Sequence, residues 1–334
     1  MGYGSRILFV VVIVLSVVSV GLVFLTQLRG QADGESVSAV AVPISEEQLV
    51  EPEPSPTTQP VRLLFGGDLM FDRNIRLRMQ EFGVDHPLEQ LTPLLSSYDA
   101  VIANLEGPIT SSKSRSVGSE PGSTNNFFFT FQPEIVPMLL ANNLSIVNLG
   151  NNHITNFSVE GIAETKQLLQ AGGVAFFGNT GQELVPAERT HYQEFGQLTV
   201  AFVNLNQFTS RGFESALVDT KEATKSADVV IVMPHWGEEY TPEPNTVIQQ
   251  QAHQLIDAGA HVIIGAHPHV IQSVEDYRGK RIYYSLGNFV FDQYFEPAVR
   301  AGWLVEMLIL PDATMQFREI PIRLETNGQT VLQQ

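Results

Sequence analysis

Five short apolar segments in this sequence are each followed closely by a residue that can bind a metal ion. Val61–Phe65 precedes Asp68, Ala100–Ala103 precedes Glu106, Ser145–Leu149 precedes Asn152 and His153, Val229–Met233 precedes His235, and Val262–Ile264 precedes His267 and His269. Short β-branched or apolar runs bounded by Gly, Pro or Asn are typical of buried strands. Ligands of open α/β sheets bind beyond the carboxyl ends of the strands. The pattern therefore predicts an α/β domain in which these side chains converge on one site.

The residue types at these ends favour a divalent metal. Carboxylate, amide and imidazole groups suit Zn, Mn or Fe better than a metal that prefers thiolate. On an extended backbone, His267 and His269 would point in opposite directions and could serve two adjacent ions. Asp68 could instead cap a following helix, and His153 could donate a proton to a leaving oxygen. The remaining histidines lack such a setting and are expected to be structural: His86, His191, His253 and His261.

The N-terminal run Ile7–Leu28 is almost continuously apolar. At ~1.5 Å per residue its length matches the ~30 Å hydrocarbon core of a bilayer. A cleaved signal peptide would have a shorter apolar region and a small-residue cleavage site. We therefore expect residues 1–29 to be a retained transmembrane signal anchor. Arg6 and Arg29 flank the run and give almost no charge bias, but the short N-terminal stub favours a single-pass protein of the cell membrane with its C-terminal part outside the cytoplasm.

A stalk and one folded domain are expected after the anchor. Residues 30–60 are rich in Glu, Pro, Ser, Thr and Gln, a composition typical of a disordered linker. The domain is expected over residues 61–325, with strand and helix patterns alternating. The further predictions are helices over Pro87–Ser97, Pro133–Ala141, Val159–Ala171 and Thr246–Ala258, a long surface loop over Ser111–Asn126, and an antiparallel hairpin of Trp303–Leu310 with Met315–Leu324.

The charge balance excludes one class of partner. The formal net charge is -17 at pH 7. A protein of this charge without a basic patch has nothing to neutralise nucleic-acid phosphates, so no nucleic acid is expected as a partner. The same charge disfavours adhesion of the folded domain to anionic lipid and keeps it soluble.

Six motifs in order carry a family resemblance. They are Gly67-Asp68-Leu69-Met70, Asn104-Leu105-Glu106-Gly107, Asn148 to His153 (NLGNNH), His235 to Glu239 (HWGEE), Gly265 to His269 (GAHPH) and Tyr284 to Phe289 (YSLGNF). With these motifs, residues 61–291 resemble the CapA family of poly-γ-glutamate capsule-biosynthesis proteins, within the calcineurin-like metallophosphoesterase superfamily.

The resemblance implies a four-layer α/β/β/α sandwich that holds two divalent metal ions. Asp68 and His269 would bind one ion, and Glu106 would bridge the two. The ligands of the second ion would be Asn152, His235 and His267, and the proton donor would be His153. Two positions depart from the superfamily: Met70 replaces the His of an Asp-x-His motif, which is expected to weaken the first ion's site, and the bridging carboxylate is Glu106 rather than Asp.

Two functions fit the sequence. The first is a metal-dependent hydrolase that acts on a phosphoester or on a γ-glutamyl polymer. The second is a non-catalytic accessory that binds the anionic capsule polymer and couples it to a membrane synthase. A negative domain is a poor partner for polyglutamate unless metal or a basic cluster offsets its charge, which favours the enzyme. The candidate basic residues are Lys113, Arg115, Arg278, Lys280 and Arg281.

Overall fold

The structure, a computed structural model, describes residues 59–181 and 186–333. The anchor predicted for residues 1–29 lies outside these residues, as does nearly all of the stalk predicted for residues 30–60. Within the described ranges, no helix is both long enough and apolar enough to span a bilayer.

The described chain alternates strands and helices along most of its length. In chain order the strands are β1 (Val61–Leu69), β2 (Ala100–Leu105), β3 (Leu144–Asn148), β4 (Ala175–Phe177), β5 (Thr190–Phe195), β6 (Leu198–Asn206), β7 (Val229–His235), β8 (Val262–Ile264), β9 (Val274–Tyr277), β10 (Lys280–Tyr283), β11 (Asn288–Val290), β12 (Ala301–Ile309), β13 (Met315–Leu324) and β14 (Thr330–Leu332). The α-helices are α1 (Arg73–Phe82), α2 (Thr92–Leu95), α3 (Ile135–Ala141), α4 (Ser158–Gly172), α5 (Gly212–Ala223) and α6 (Thr246–Asp257).

The strands form two sheets. The first has the order β14-β13-β12-β1-β2-β3-β4, and β11 also pairs with β1. The second has the order β5-β6-β7-β8-β10-β9. Strands β1 to β4 pair in parallel, as do β6, β7, β8 and β10. Parallel strands run in one direction, so their carboxyl ends meet at one edge of each sheet, where a site can form.

Three apolar clusters show how the layers stack. The middle cluster joins the two sheets through side chains such as Phe65 and Ile102 of the first and Phe202 and Ile231 of the second. The second cluster lies on the outer face of the first sheet and includes buried residues of helices α1 to α4. The third lies on the outer face of the second sheet, beneath α5 and α6. The layers are therefore helices, sheet, sheet and helices, and the α/β expectation is confirmed.

Local sequence explains why these elements form. Strands β2 and β7 are buried at every residue, so each appears as a continuous apolar run without alternation. Helix α6 begins where the Asn245 side chain accepts a hydrogen bond from the Ile248 amide at 3.0 Å. Helix α4 ends at Gly173, whose φ of 78° lies in the left-handed region that glycine adopts without strain.

Some predicted elements differ from the structure. The hairpin is confirmed, because β12 and β13 pair antiparallel over their full length. The helix expected over Pro87–Ser97 is mostly turns, with only α2 helical. Helices α1 and α5 were not predicted; α1 buries only Ile75 and Met79 beside the charged Arg76, so its apolar face is too narrow to stand out in the sequence. The first sheet continues beyond residue 325, since β14 pairs with β13.

Candidate metal centre

The predicted site residues meet where the carboxyl ends of the two sheets adjoin. Asp68 lies at the end of β1, Glu106 directly follows β2, and His235 ends β7. His267 and His269 follow β8. All five side chains are buried, although all five are charged or polar groups that cost free energy to bury unless they are paired or bind a metal.

These five residues form two groups that share one carboxylate. Glu106, His235 and His267 offer ligand atoms that lie within 4.8 Å of one another, and so do Asp68, Glu106 and His269. His267 and His269 therefore belong to different groups, as the sequence predicts. The reason differs from the extended backbone assumed there, because φ is 98° at His267 and 58° at His269. Both residues are in the left-handed region, which costs a non-glycine residue about 1–3 kcal/mol and is concentrated at functional sites.

Glu106 is the most unusual of the five. Within the part of the chain that the structure describes, neither of its carboxylate oxygens has a hydrogen-bond partner. Its Oε1 lies 3.7 Å from His269 Nε2, 3.8 Å from His235 Nε2 and 3.9 Å from His153 Nε2, all too long for hydrogen bonds. Burial, with the negative charge of Asp68, raises the pKa of Glu106 well above its ordinary value. A carboxylate in this setting is satisfied by a cation.

Asp68, unlike Glu106, has hydrogen-bond donors to both of its carboxylate oxygens. Its Oδ1 accepts a hydrogen bond from Asn104 Nδ2 at 2.7 Å, and its Oδ2 accepts one from the His267 amide at 3.1 Å. Burial opposes ionisation of the carboxyl group, but the contact of His269 Nδ1 at 3.2 Å and the other donors hold the pKa of Asp68 well below its usual range. Asp68 is therefore an ionised carboxylate near neutral pH.

Two of the imidazoles are neutral near pH 7. Burial is the largest cause that lowers the pKa of His267 to about 3, and burial likewise holds the pKa of His235 well below its ordinary value. A neutral imidazole has the lone pair that a metal ion requires. Among the described residues, His267 Nδ1 has no hydrogen-bond partner. The orphaned atoms of Glu106 and His267, with two neutral imidazoles, fit divalent cations.

Asn152 and His153 lie beside the group formed by Glu106, His235 and His267. Asn152 Oδ1 is 2.9 Å from His235 Nε2. His153 Nδ1 is 3.2 Å from Asn156 Oδ1, so Nε2 is the nitrogen turned toward Glu106. The His153 ring packs against Phe129 with centroids 4.4 Å apart, and burial lowers its pKa to about 4. His153 is thus neutral near pH 7 and can act as a donor only after it takes up a proton.

Two glycines allow the strands to approach this closely. A Cβ at Gly67 would lie 1.8 Å from the carbonyl oxygen of Gly287, and one at Gly265 would lie 2.0 Å from that of Tyr284. Neither position therefore admits a side chain without moving backbone. Gly67, within β1, and Gly265, directly after β8, are therefore needed for the convergence of the site.

Two asparagines support the ligands and received no role from the sequence. Asn104 Nδ2, besides donating to Asp68, lies 3.2 Å from His235 Nδ1. Asn288 Oδ1 lies 2.9 Å from His269 Nδ1. The sheet register pairs Asp68 with Asn104 on one side and Asn288 on the other. The available signal was an amide at the end of a buried strand, where an unpaired polar group is costly.

Met70, the departure from the Asp-x-His motif, packs elsewhere. Its side chain is fully buried in the apolar cluster outside the first sheet, and its Sδ accepts a hydrogen bond from the Asp72 amide at 3.0 Å. A weakened ion site at this position stays a prediction.

The four histidines expected to be structural have ordinary partners: His86 contacts Asn327 O, His191 contacts Gln193 Oε1, His253 contacts Glu275 Oε1 and His261 Nδ1 accepts from the Val230 amide.

A different cavity borders each ligand group. One of about 330 Å³ is lined by Arg73 and Tyr240 among others, and the Tyr240 ring lies 6.0 Å from the His269 ring. Another of about 270 Å³ is lined by Asn152 and Phe208, and the Phe208 ring lies 4.7 Å from the His267 ring. A larger cavity of about 590 Å³, at the loop following residue 110, is lined by none of the predicted site residues.

Comparison with known proteins identifies relatives of this chain. One relative, the PGA biosynthesis protein CapA of Bacillus subtilis (strain 168), is 30% identical over 77% of this chain and 70% of its own length. A second, described as a polyglutamine synthesis accessory protein of Mycobacterium tuberculosis (strain H37Rv), is 27% identical over 58% of this chain and 56% of its own length. A solved 5′-nucleotidase from Candida albicans SC5314 overlaps 83% of this chain and 53% of its own at 12% identity, with a TM-score of 0.46, and no activity is inferred from it.

The family comparison covers more than half of the sequence. Residues 62–293 match the model of the bacterial capsule synthesis protein PGA_cap, and this range contains both ligand groups and His153. The chain therefore belongs to the bacterial capsule synthesis protein PGA_cap family.

Proposed function

We propose that this chain is a membrane-anchored, extracytoplasmic hydrolase that binds two divalent metal ions and cleaves a phosphoester or a γ-glutamyl bond in poly-γ-glutamate capsule biosynthesis. The observation that carries the proposal is Glu106, a fully buried carboxylate with two orphaned oxygens, shared by two groups of possible ligands. A scaffold without metal would gain stability by replacing such a group with an apolar residue. Its presence is explained by a charge that it must neutralise.

The ions would be held by this chain as two neighbours with one shared ligand. Asp68 and His269 would hold the first, and His235 and His267, with Asn152, would hold the second. Glu106 would bridge them. Mn, Zn or Fe suits these oxygen and nitrogen donors. Bound there, the ions would supply positive charge that polarises a phosphoryl or carbonyl group and activates water.

The chain's own residues prepare the site for this chemistry. Asn104 and Asn288 fix the orientation of His235 and His269 through the hydrogen bonds described above, as supporting groups do around metal ligands. His153, neutral and held by Asn156, would accept at Nε2 a proton from the attacking water. It would then return that proton to the departing oxygen or nitrogen, which completes general acid–base catalysis with one imidazole.

Metal content and hydrolysis together test this proposal. The full-length chain, purified in detergent and loaded with Mn²⁺, Zn²⁺ or Fe²⁺, is expected to bind about two ions by elemental analysis. It is expected to cleave an activated phosphodiester or a γ-linked glutamate oligomer. Glu106→Ala is the matched inactive variant. A wild-type protein that holds metal and cleaves neither substrate would refute the hydrolase.

Membrane anchoring is supported by the length and apolar character of Ile7–Leu28. The full chain is expected in the membrane fraction of expressing cells, whereas a chain that lacks residues 1–29 is expected in the soluble fraction. Protease added outside intact spheroplasts is expected to digest the domain. A protected domain would place it in the cytoplasm and contradict the orientation.

The alternative is an accessory that binds the anionic polymer and couples it to a membrane synthase. The description of the Mycobacterium tuberculosis relative as an accessory protein favours it. This function predicts polymer binding and co-purification with the polymer-forming enzyme without cleavage of either substrate. The hydrolysis assay described above therefore separates the two functions.

A further inference from the structure

Arg73 lies one layer of side chains away from the metal centre. Its guanidinium lies 5.1 Å from the centre of the Phe129 ring and 5.3 Å from that of the Phe291 ring. Those rings pack in turn on the centre itself: Phe129 lies against His153 at 4.4 Å, and Phe291 lies against His269 at 4.8 Å. The two aromatic rings thus hold a cation beside the candidate proton carrier and a ligand of the first ion.

The donors of Arg73 are only partly used. Nη2 forms an ion pair with Asp292, whose other oxygen accepts from the Asn74 amide at 3.0 Å. Nη1 has a contact of 3.5 Å with Asn126 Oδ1, at the outer limit of a hydrogen bond. In the described part of the chain, Nε has no partner. A guanidinium presents five N–H donors in a planar fork that matches a carboxylate, so donor capacity remains.

Arg73 also lines a cavity whose wall residue Tyr240 lies beside His269, with the two ring centroids 6.0 Å apart. This cavity of about 330 Å³ is bordered by Arg73, Asn126, Tyr240 and Phe295 among others. A chain of hydrogen bonds joins its wall to the metal ligands: His269 contacts Asn288, Asn288 Nδ2 donates to Gln293, and Gln293 Nε2 donates to the Tyr240 hydroxyl at 3.0 Å. The wall is therefore fixed relative to the ions.

Backbone conformation marks the same region. Arg73 has a φ of 50° and Tyr240 a φ of 62°, so two residues of the cavity wall share the left-handed conformation of His267 and His269. Each costs about 1–3 kcal/mol and persists only where the surrounding structure fixes it. The surrounding structure here is the Asp292 pair for Arg73 and the Gln293 hydrogen bond for Tyr240.

From this geometry we infer that Arg73 is a specificity-determining residue that binds a carboxylate of the substrate in the cavity beside the metal centre. The inference deepens the proposed function and rests on it for the identity of the substrate. A carboxylate next to the scissile bond would lie on the guanidinium fork between the aromatic walls. Among the described residues that line the cavity bordering Asn152 and Phe208 there is no Lys or Arg, so the bound chain would have a defined direction across the ions.

Binding of two matched peptides tests the inference. The probes are γ-linked tetraglutamate with free α-carboxylates and the same peptide with α-carboxamides. Affinity is measured calorimetrically on the full-length, Mn²⁺-loaded chain that carries His153→Gln, so that the probes are not consumed. The carboxylate peptide is expected to bind about 10- to 100-fold more tightly, the range for a hydrogen bond to a charged group.

Variants at Arg73 test whether this residue causes the difference in affinity between the two peptides. Arg73→Gln is expected to remove it, and Arg73→Lys, which keeps the charge but loses the fork, is expected to remove most of it. The control is Arg189→Lys, because the Arg189–Asp219 pair has side-chain exposures of 15% and 7%, close to the 12% and 8% of Arg73 and Asp292. Metal content and the urea midpoint show that each variant is folded. If Arg73→Gln does not fold, the inference is tested by the peptide affinities of Arg73→Lys alone.

Each outcome has a separate meaning for the two proposals. The inference would be overturned if the wild type bound both peptides with equal affinity, or if the Arg73 variants lost affinity for both peptides by the same factor. Either result would overturn it even if the wild-type chain cleaves the peptide. Discrimination that depends on Arg73 in a chain that cleaves nothing would support the inference and refute the hydrolase.

Discussion

Glu106→Gln is expected to change the stability of the protein in opposite directions with and without metal. In the metal-free protein, both carboxylate oxygens of Glu106 are buried without a donor among the described residues. Leaving a buried polar group unsatisfied costs about 1–3 kcal/mol, and more for a charged group. The neutral amide has the same shape and a smaller desolvation cost. The variant is therefore expected to be about 1–3 kcal/mol more stable than the wild type in excess chelator.

Bound metal reverses the sign. A ligand that binds only the folded state increases the free energy of unfolding by RT ln(1 + [L]/Kd), which is about 2.7 kcal/mol when the ligand concentration is 100 times Kd. Glu106 belongs to both ligand groups, so its loss weakens the binding of both ions. At saturating Mn²⁺ or Zn²⁺, the wild type is expected to be the more stable protein.

The difference in chelator also depends on pH. The pKa of Glu106 is raised by burial above the ordinary value of 4.5, so the folded state holds a proton that the unfolded state has lost. The contribution of Glu106 to the stability of the metal-free wild type therefore falls as pH rises above 4.5 toward the folded-state pKa. The variant lacks this titration, so its advantage over the wild type grows as pH rises.

Urea unfolding, with and without chelator, measures these free energies. Glu306→Gln is the matched control, because Glu306 accepts hydrogen bonds from Tyr98, Arg62 and Arg318 and its pKa is lowered to about 2. That substitution is expected to destabilise the protein equally in both conditions. The account of Glu106 would be refuted if the Glu106→Gln variant were less stable than the wild type in chelator. It would also be refuted if metal stabilised the variant as much as it stabilises the wild type.

Four further outcomes are expected. His235→Ala and His267→Ala should each lose the second ion by elemental analysis, whereas His191→Ala, far from the ligand groups, should keep both; equal metal in all three would remove the site. His153→Gln should retain metal but lower turnover by about 10²–10⁴-fold, the usual contribution of general acid–base catalysis, with a smaller loss for good leaving groups. The metal-free Glu106→Gln variant, which lacks the opposite titration of Glu106, should lose stability as pH falls from about 6.5 toward 4, because the unfolded state takes up protons that buried His153 and His267 do not bind; a flat urea midpoint over that range would contradict their lowered pKa values. Phe65→Ala, between the two sheets, should cost about 3–5 kcal/mol in urea unfolding without changing metal content, and a change below 1 kcal/mol would contradict the packing.

Two of the five residues in the basic cluster considered from the sequence are paired with acidic side chains. Arg278 pairs with Asp257 and Arg281 pairs with Asp276, so acidic neighbours neutralise both. Arg73, to which no sequence pattern pointed, is instead linked to His153 and His269 through aromatic contacts. Its neighbours Phe129 and Phe291 are far away in the sequence, and only folding brings the three together.

The sequence by itself determined which residues could form a metal site. Buried parallel strands are continuous apolar runs, and the glycines that end them are local features, so the strand ends and the ligand types could be identified without a structure. The apolar N-terminal run and the acidic composition that predicts a stalk are likewise local features of the sequence. Local periodicity also gave the β12–β13 hairpin, because its strands are joined by a short turn.

Only the tertiary structure decided how those residues combine. The sharing of Glu106 by two ligand groups depends on two sheets packing face to face, a contact between segments far apart in the chain. The support of His235 by Asn104 and of His269 by Asn288 depends on the same long-range packing and register. The orphaned oxygens of Glu106 are visible only once every neighbouring donor has its position. A sequence specifies the groups at each strand end, but the desolvation and distances that shift their pKa values arise when the sheets close over them.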